Sequence, residues 1–325
     1  MAQRCISRDA TVVINSFNQG PTLDLALEGL SRQDFTGTWE IVVVDDGSHD
    51  GTDHIVASWE RRLAVPLTYV RLPKQGMRWS RARNIGMDQA EGNVLLFFDA
   101  DMVPDSQVVR LHVVEQARSP CLLGGDRLWR NALVDLPDHG STRDCLECLR
   151  TSVSSADADC IRRESAERHA RLALMDTAFP WRAAFGCHIS FPAPMNLRYD
   201  ESMLGWGPSD VELNCRLYHD KGLPVRFLPE ARAWHVEREG AHHNPFRSTD
   251  SVAVNEYVRQ VCYMIHKHLP LDLRAVIDMG FDRIVLGPDD QWHTVQRGRG
   301  GDKARTMEIA LAWYGRTDRP GHPND

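Results

Sequence analysis

Apolar positions in the first hundred or so residues fall into two alternating patterns. Residues 10–17, ATVVINSF, form a short β-branched run that predicts a strand. Asn18 to Pro21 is turn chemistry. PTLDLALEGLSRQ then sets Leu23, Leu27 and Leu30 at helical spacing, with Pro21 near the first turn. WEIVVVDD is apolar without interruption, as a parallel strand buried on both faces should be. The turn GSHDGT leads into a second helix, TDHIVASWERRL, and LTYVRL reads as a third strand. SRARNIGMDQAEG is a helix that ends at a glycine, and NVLLFFDAD is a fourth strand. This β-α-β-α-β-α-β order predicts an α/β fold: an open, mostly parallel, Rossmann-like sheet with helices on both faces.

The pattern changes after this region. Residues 141–180 are polar, rich in Arg, Glu, Asp and Ala, and read as a helical insertion. GCHISFPAP is strand-like, YDESMLGWGPSDVELNCRLYHDKG is a loop entering a helix, and VRFLPEARAWHV reads as strands. Residues 236–251 are polar and loop-like. VAVNEYVRQVCYMIHKHL is an amphipathic helix, and KARTMEIALAWYG is a last helix, giving residues 252–325 the look of a helical extension.

Composition narrows the function classes. At 325 residues, 42% hydrophobic and 26% charged, the chain can bury a substantial core. Its net charge of −7 argues against nucleic acid as a partner, which calls for a basic footprint. No stretch of about 18 apolar residues could span a bilayer and no signal peptide is seen, so the expectation is a cytoplasmic protein without an integral membrane segment. The eight cysteines then read as free thiols. Cys145 and Cys148 form a lone C-x2-C that Cys160, or Cys187 with His188, would have to complete to bind zinc.

Two of the strands end in acidic residues: Asp45-Asp46, and Asp99 with Asp101. A strand as apolar as Val-Leu-Leu-Phe-Phe has no reason to finish on two carboxylates unless something there needs negative charge. Ligands of such sheets bind outside the carboxyl ends of the strands, where this topology would gather both pairs. An Asp-x-Asp at that edge can hold Mg²⁺ or Mn²⁺ and leave positions open for phosphate oxygens. Isolated aspartates are also common as helix caps, and Asp-Gly-Ser as a turn. No G-x-G-x-x-G follows the first strand and no G-x4-G-K-[ST] occurs, which lowers the dinucleotide and P-loop readings.

VVINSFNQ, IVVVDDGSHDGT, SRARNIGMDQAEGNVLLFFDAD and LGWGPSDVELNCRLYHDKG, in that order, resemble the family 2 glycosyltransferases of the GT-A fold. The last of them resembles the carboxy-terminal module of β-1,4-galactosyltransferases and polypeptide N-acetylgalactosaminyltransferases. The resemblance spans roughly residues 10–236. It implies a catalytic domain over 1–235, with a nucleotide-sugar half at 1–110, the insertion at 141–180 and an acceptor module at 181–235. It implies a nucleotide-sugar donor, usually UDP-linked, and a divalent metal, Mn²⁺ or Mg²⁺. Asp46 would hydrogen-bond the uracil with Asp45 beside it, and Asn15 to Phe17 would frame the base. Asn15 stands where a small hydroxyl residue is often found. Arg83 would steady the diphosphate or Asp99. Asp99, with Ala100 after it, would meet the ribose or donor sugar, and Asp101 would be the principal metal ligand. His235 matches a further metal ligand of many relatives, and His242 and His243 could be alternative ligands or part of a mobile lid.

Trp206 and Gly207 would line the acceptor site, and Asp210 would be the general base, with Glu212 as reserve base or structural partner. Ser209 stands where related modules carry an acidic residue. Retaining relatives resemble WGGEN where this chain has WGPSD, which points to inversion. The implied activity is hexosyl transfer to an acceptor hydroxyl on a sugar, cyclitol, other natural product or peptide, with a homo-oligomer left open. A nucleotidyltransferase would carry a basic loop after the first strand, and NSFNQGPT has none. A non-catalytic sugar-binding module would leave the Asp99, Asp101, Asp210 and His235 set unexplained.

Overall fold

Strand β1 (Arg8–Ser16) is buried over its last seven residues, so it requires a strand on each edge and a helix on each face. A computed structural model of the chain describes residues 7–131, 157–237, 251–268, 271, 281–295 and 302–317. In it β2 (Trp39–Asp45) and β4 (Gly92–Asp99) flank β1 in parallel, and β3 (Leu67–Arg71) extends the sheet beyond β2. Together with β5 (Met102–Pro104), β6 (Leu122–Asn131), β7 (His188–Pro192) and β8 (Val225–Glu237), these make an eight-stranded sheet. Its order is β3-β2-β1-β4-β7-β6-β8-β5. The β1 to β4 group is parallel throughout, as is β6 on β8, while β7 and β5 run antiparallel to their neighbours. This is the α/β sheet that the sequence predicts.

Side-chain alternation explains the layers. Val12, Ile14, Ile41, Val43, Leu96 and Phe98 share one core with α1 (Gly20–Ser31), α2 (Thr52–Glu60) and the start of α4 (Val108–Arg118). The opposite face carries Val42 and Val44 against Ala82 of α3 (Trp79–Gln89). Gly86 lets α3 lie close to β1, because a Cβ there would run into the Val13 side chain. Each fully buried Val, Ile, Leu or Phe contributes roughly 1.5–3 kcal/mol, so the strand register is firmly held.

That register matters for function. The chain builds β1, β2 and β3 in one direction and then places β4 on the other side of β1. The crevice at such a switch point is where open α/β sheets bind ligands. Ser16 is level with Asp45, and Asn15 with Asp99, so both acidic strand ends meet there.

The VRFLPEARAWHV segment is one strand with an interruption. Pairing of β6 with β8 jumps from Gly125↔Leu228 to Asp126↔Arg232, leaving Pro229, Glu230 and Ala231 outside the ladder. Pro229 has no N–H to donate, which suits it to such a bulge. Beyond the bulge His235 is level with Trp129 of β6 on one side and Met102 of β5 on the other. The expected insertion contributes α5 (Asp157–Met175). This helix meets β6 through charge, with Arg127 to Glu167 at 2.7 Å, Arg130 to Glu164 at 3.2 Å, and Arg168 to Asp126. Residues 141–156, with Cys145 and Cys148, lie outside the described residues, as do 238–250 with His242 and His243. Cys121, Cys187, Cys215 and Cys262 are free and buried.

Contacts divide the chain into two units, Met1–Asp200 with Asp210–Arg238, and Glu201–Ser209 with Glu239–Asp325. Helix α6 (Ser209–His219) begins at the division. The second unit carries α7 (Ser251–Lys267), the hairpin β9 (Ile284–Leu286) with β10 (Trp292–Thr294), and α8 (Lys303–Thr317). Trp292 meets Trp313 edge to face at 6.1 Å, and Asn255 accepts from the Trp292 N–H at 3.1 Å. The expected helical extension therefore also includes a hairpin. Among the described residues no helix is long and apolar enough to cross a membrane.

Two histidines are buried behind the sheet edge. His112 Nε2 and His188 Nε2 are 3.1 Å apart, and His188 Nδ1 lies 3.2 Å from the Asp126 carbonyl, to which it donates. His188 Nε2 must then accept from His112, whose Nδ1 accepts from Ser190 at 2.8 Å. With both ring nitrogens used, His188 does not serve the zinc site that its neighbour Cys187 suggested. Burial lowers the His112 pKa to about 3 and takes that of His188 well below its ordinary value. The unfolded chain therefore binds more protons below about pH 6.5, and stability falls as pH drops from there toward 3. Each such histidine steepens the loss by up to about 1.4 kcal/mol per pH unit. Urea unfolding at stepped pH should show His112→Gln less stable at neutral pH but with a flatter slope between pH 6.5 and 4 than the parent.

Candidate functional site

The switch-point crevice is organised by a buried cation. Arg83, on the sheet-facing side of α3, is 4% exposed. Its Nη2 donates to Asp99 Oδ1 at 2.8 Å, its Nε to Asn15 Oδ1 at 3.1 Å, and its Nη1 to the Tyr199 hydroxyl at 3.4 Å. Asn15 completes the triangle by donating to Asp99 at 3.3 Å. Burial works against the Arg83 charge, but Tyr199, Asp99 and Asp210 around it outweigh that and raise its pKa. Burial, and then the Asp101 charge, push Asp99 up, although Arg83 pulls it back. Asn15, Arg83 and Asp99 therefore form one cluster.

Asp101 lies beyond the buried Ala100, at the far side of the strand end. Its Oδ2 accepts from Gln19 at 3.1 Å and is 3.4 Å from His235 Nε2. Burial raises Asp101, but the adjacent His235 and the hydrogen bonds from His235 and Gln19 leave it below the ordinary carboxylate range. Asp101 Oδ1 and His235 Nδ1 are both buried with no hydrogen-bond partner. An ionised carboxylate with an unsatisfied buried oxygen next to an imidazole suits a divalent cation. Among the described residues no group of three His, Cys, Asp or Glu side chains is arranged to hold a metal. Mg²⁺-type sites commonly use one or two carboxylates and take the remaining oxygens from substrate phosphates, so the pair fits such an ion.

The end of β2 treats its two aspartates differently. Asp45 is saturated: its Oδ2 accepts from Tyr69 at 2.6 Å, and its Oδ1 from the Ser48 N–H at 2.8 Å and hydroxyl at 2.5 Å. It shapes the turn. Asp46 accepts from Lys74 Nζ and from the Arg78 N–H, each at 3.3 Å, while its Oδ1 is buried with no hydrogen-bond partner, 4.0 Å from Arg78 Nη2. Lys74 Nζ also lies 3.3 Å from the centre of the Phe17 ring. One ammonium thus bridges the Phe17 face and the Asp46 carboxylate.

Asp210, in the first turn of α6, accepts from the Gly186 N–H at 2.8 Å and from the Val211 N–H at 2.9 Å. Gly186 is required by proximity, since a Cβ there would sit 2.5 Å from the Asp210 Cβ and 2.7 Å from Arg83 Nη1. Asp210 thus lies near enough to Arg83 for its charge to favour the guanidinium. Glu212 is fully buried and holds Arg216 at 2.5 and 2.7 Å, so it makes an internal ion pair. Trp206 and Gly207 belong to the second unit, where the Trp206 ring meets Tyr257 at 5.6 Å and the Trp206 carbonyl accepts from Gln260 at 3.4 Å.

Gln19, Tyr199, Lys74, Arg78 and Gly186 all touch these groups, and sequence reasoning named none of them for the site. Lys74 carried the one available signal, as one of four lysines in a chain whose basic residues are mostly arginine.

Residues 11–128 match the sequence profile of Glycosyl transferase family 2. The profile ends before Asp210 and His235. Hyaluronan synthase of Pasteurella multocida is 26% identical over 277 residues, covering 81% of this chain and 28% of that protein. Validoxylamine A glucosyltransferase of Streptomyces hygroscopicus subsp. jinggangensis is 29% identical over 284 residues, covering 83% of this chain and 64% of that protein. The chain thus spans between 28% and 64% of the length of these two relatives. Among solved structures, S. aureus TarS 1-349 in complex with UDP-GlcNAc superposes with a TM-score of 0.53 at 17% identity, covering 96% of this chain and 74% of that one. Mannosyltransferase PcManGT from Pyrobaculum calidifontis, in complex with GDP-Man and Mn²⁺, gives 0.54 at 15% identity, covering 96% and 78%. The fold is that of GT-A glycosyltransferases.

Removing one partner of the Arg83–Asp99 pair strands a buried charge. Arg83→Met should cost about 3–5 kcal/mol in urea unfolding, and adding Asp99→Asn should recover part of the loss. Equal stability of the parent and Arg83→Met would contradict this arrangement.

Proposed function

We propose that the chain is a metal-dependent, inverting glycosyltransferase. It takes a sugar from a UDP-linked donor, or another nucleoside diphosphate sugar, and moves it to an acceptor hydroxyl, with the cytoplasm as its setting. The observation that carries this reading is the unequal treatment of two carboxylates two residues apart. Asp99 is neutralised by Arg83, whereas Asp101 keeps an unpartnered oxygen beside His235. A sugar-nucleotide site needs both kinds of carboxylate, one to receive hydroxyls and one to hold a cation against the diphosphate. The family 2 profile match supports the reading, as do the fold neighbours whose names include UDP-GlcNAc and GDP-Man with Mn²⁺.

In this account Asp46 receives the base N–H at Oδ1, which has no hydrogen-bond partner and lies 4.0 Å from Arg78 Nη2, and Phe17 offers a face for stacking once Lys74 swings toward the diphosphate. Asp45 acts indirectly by fixing the turn. Asp101 and His235 hold Mn²⁺ or Mg²⁺, which would stabilise charge on the departing diphosphate. Asp210 accepts the proton of the acceptor hydroxyl. That oxygen forms the new bond to the anomeric carbon as the bond to the β-phosphate oxygen breaks, and the nucleoside diphosphate leaves. Its two hydrogen bonds from backbone N–H groups stabilise the carboxylate as an aimed acceptor. One base and one displacement give inversion.

The acceptor we infer is a polyhydroxylated molecule of sugar or cyclitol type. The relative whose name specifies glucosyl transfer to validoxylamine A supports it, and hyaluronan synthase leaves glycan ends as the other arm of the test.

Incubation with a panel of nucleotide sugars, Mn²⁺ and sugar, cyclitol and glycan acceptors should give donor hydrolysis or transfer, with an inverted product by NMR. Asp210→Asn should lower turnover about 10²–10⁴-fold while donor binding persists. If no nucleotide sugar binds and Asp101→Ala leaves Mn²⁺ affinity unchanged, the reading is wrong.

A further inference from the structure

We propose that helix α5 of the insertion positions His235 by clamping Trp129, so that Trp129 and Glu167 set the metal affinity of the site without touching the metal. The proposal rests on the reading of His235 as a metal ligand.

A metal-ligating histidine normally donates its second ring N–H to a carboxylate or carbonyl, which fixes the ring. Among the described residues His235 has no such partner, since its Nδ1 is buried and unpaired while Nε2 faces Asp101. Packing must therefore orient the ring. The neighbour that packs on it is Trp129, level with it across the β6–β8 ladder. The two rings meet at 4.5 Å between centres and 81° between planes.

Trp129 is in turn held by carboxylates and guanidinium groups. Its indole Nε1 donates to Glu167 at 3.1 Å and its backbone N–H to Glu164 at 2.6 Å. These two carboxylates are three residues apart, on one face of α5. Arg163 lies 3.2 Å and Arg127 4.4 Å from the centre of the indole ring. Arg127 also holds Glu167 through two bonds, at 3.1 and 2.7 Å. Burial pushes the Glu167 carboxyl up, but Arg127 outweighs it and keeps the group ionised. A line of contacts thus runs from α5 through Glu167 and Trp129 to His235 and Asp101. A polar helix over the sheet edge is otherwise unexplained, because an apolar face would cover β6 at lower electrostatic cost.

Mn²⁺ affinity, followed by EPR with and without UDP, tests the proposal. Trp129→Leu should weaken Mn²⁺ binding by about tenfold or more, Glu167→Ala by a smaller factor, and Trp129→Phe should retain most of it. In the His235→Ala background Trp129→Leu should bring no further loss, whereas general loosening would act equally in both backgrounds. UDP affinity without metal should stay as in the parent, which separates positioning from misfolding. A change of less than about twofold in Trp129→Leu, or the same factor in both backgrounds, overturns the proposal while His235→Ala still weakens binding. If His235→Ala itself leaves Mn²⁺ affinity unchanged, the ligand reading falls and the positioning role falls with it.

Discussion

A guanidinium withdrawn from water must be surrounded by acceptors, and Arg83 has Asn15, Asp99 and Tyr199 around it with Asp210 close by. These residues come from α3, the ends of β1 and β4, the segment before α6, and α6 itself. A buried pair of this kind contributes little net stability, because desolvation offsets the Coulomb attraction. Its value is specificity. Any shift of α3 or β4 would strand a charge, so the pair fixes the switch-point crevice in one arrangement. The different surroundings of Asp99 and Asp101 follow from it, because Arg83 satisfies one and leaves the other to its own neighbours.

Much of the fold was legible because parallel strands buried on both faces leave continuous apolar runs. IVVVD and VLLFFD could be little else between helical spacings, and β1 through β4 lie where those runs are. The β8 bulge was harder to read, since Pro229 breaks the ladder but not the strand, and local pattern does not distinguish the two. The β9–β10 hairpin is only three residues on each side, too short for a period to register.

The site was legible in part. The strand ends announced Asp45, Asp46, Asp99 and Asp101, because charge after a buried run is locally anomalous. What sequence could not supply was which carboxylates are satisfied. Asp45 is consumed by Ser48 and Tyr69, and Glu212 by Arg216, which only tertiary contacts reveal. Tyr199 and Arg83 are 116 residues apart, and nothing local links them. Trp129 and Glu167 were hidden for the same reason. The polar composition of the insertion told of a helix, but its contact with β6 through ion pairs depends on the fold.

The most direct test of the account is where a metal goes. Crystals grown with Mn²⁺ and UDP, measured at a wavelength where manganese scatters anomalously, should give one strong peak within ligand distance, about 2.0–2.4 Å, of an Asp101 carboxylate oxygen and a His235 ring nitrogen. The same peak should touch the diphosphate, with the uracil between Phe17 and Asp46. A manganese peak away from Asp101, or UDP bound elsewhere than the β1–β4 crevice, would contradict the central claim.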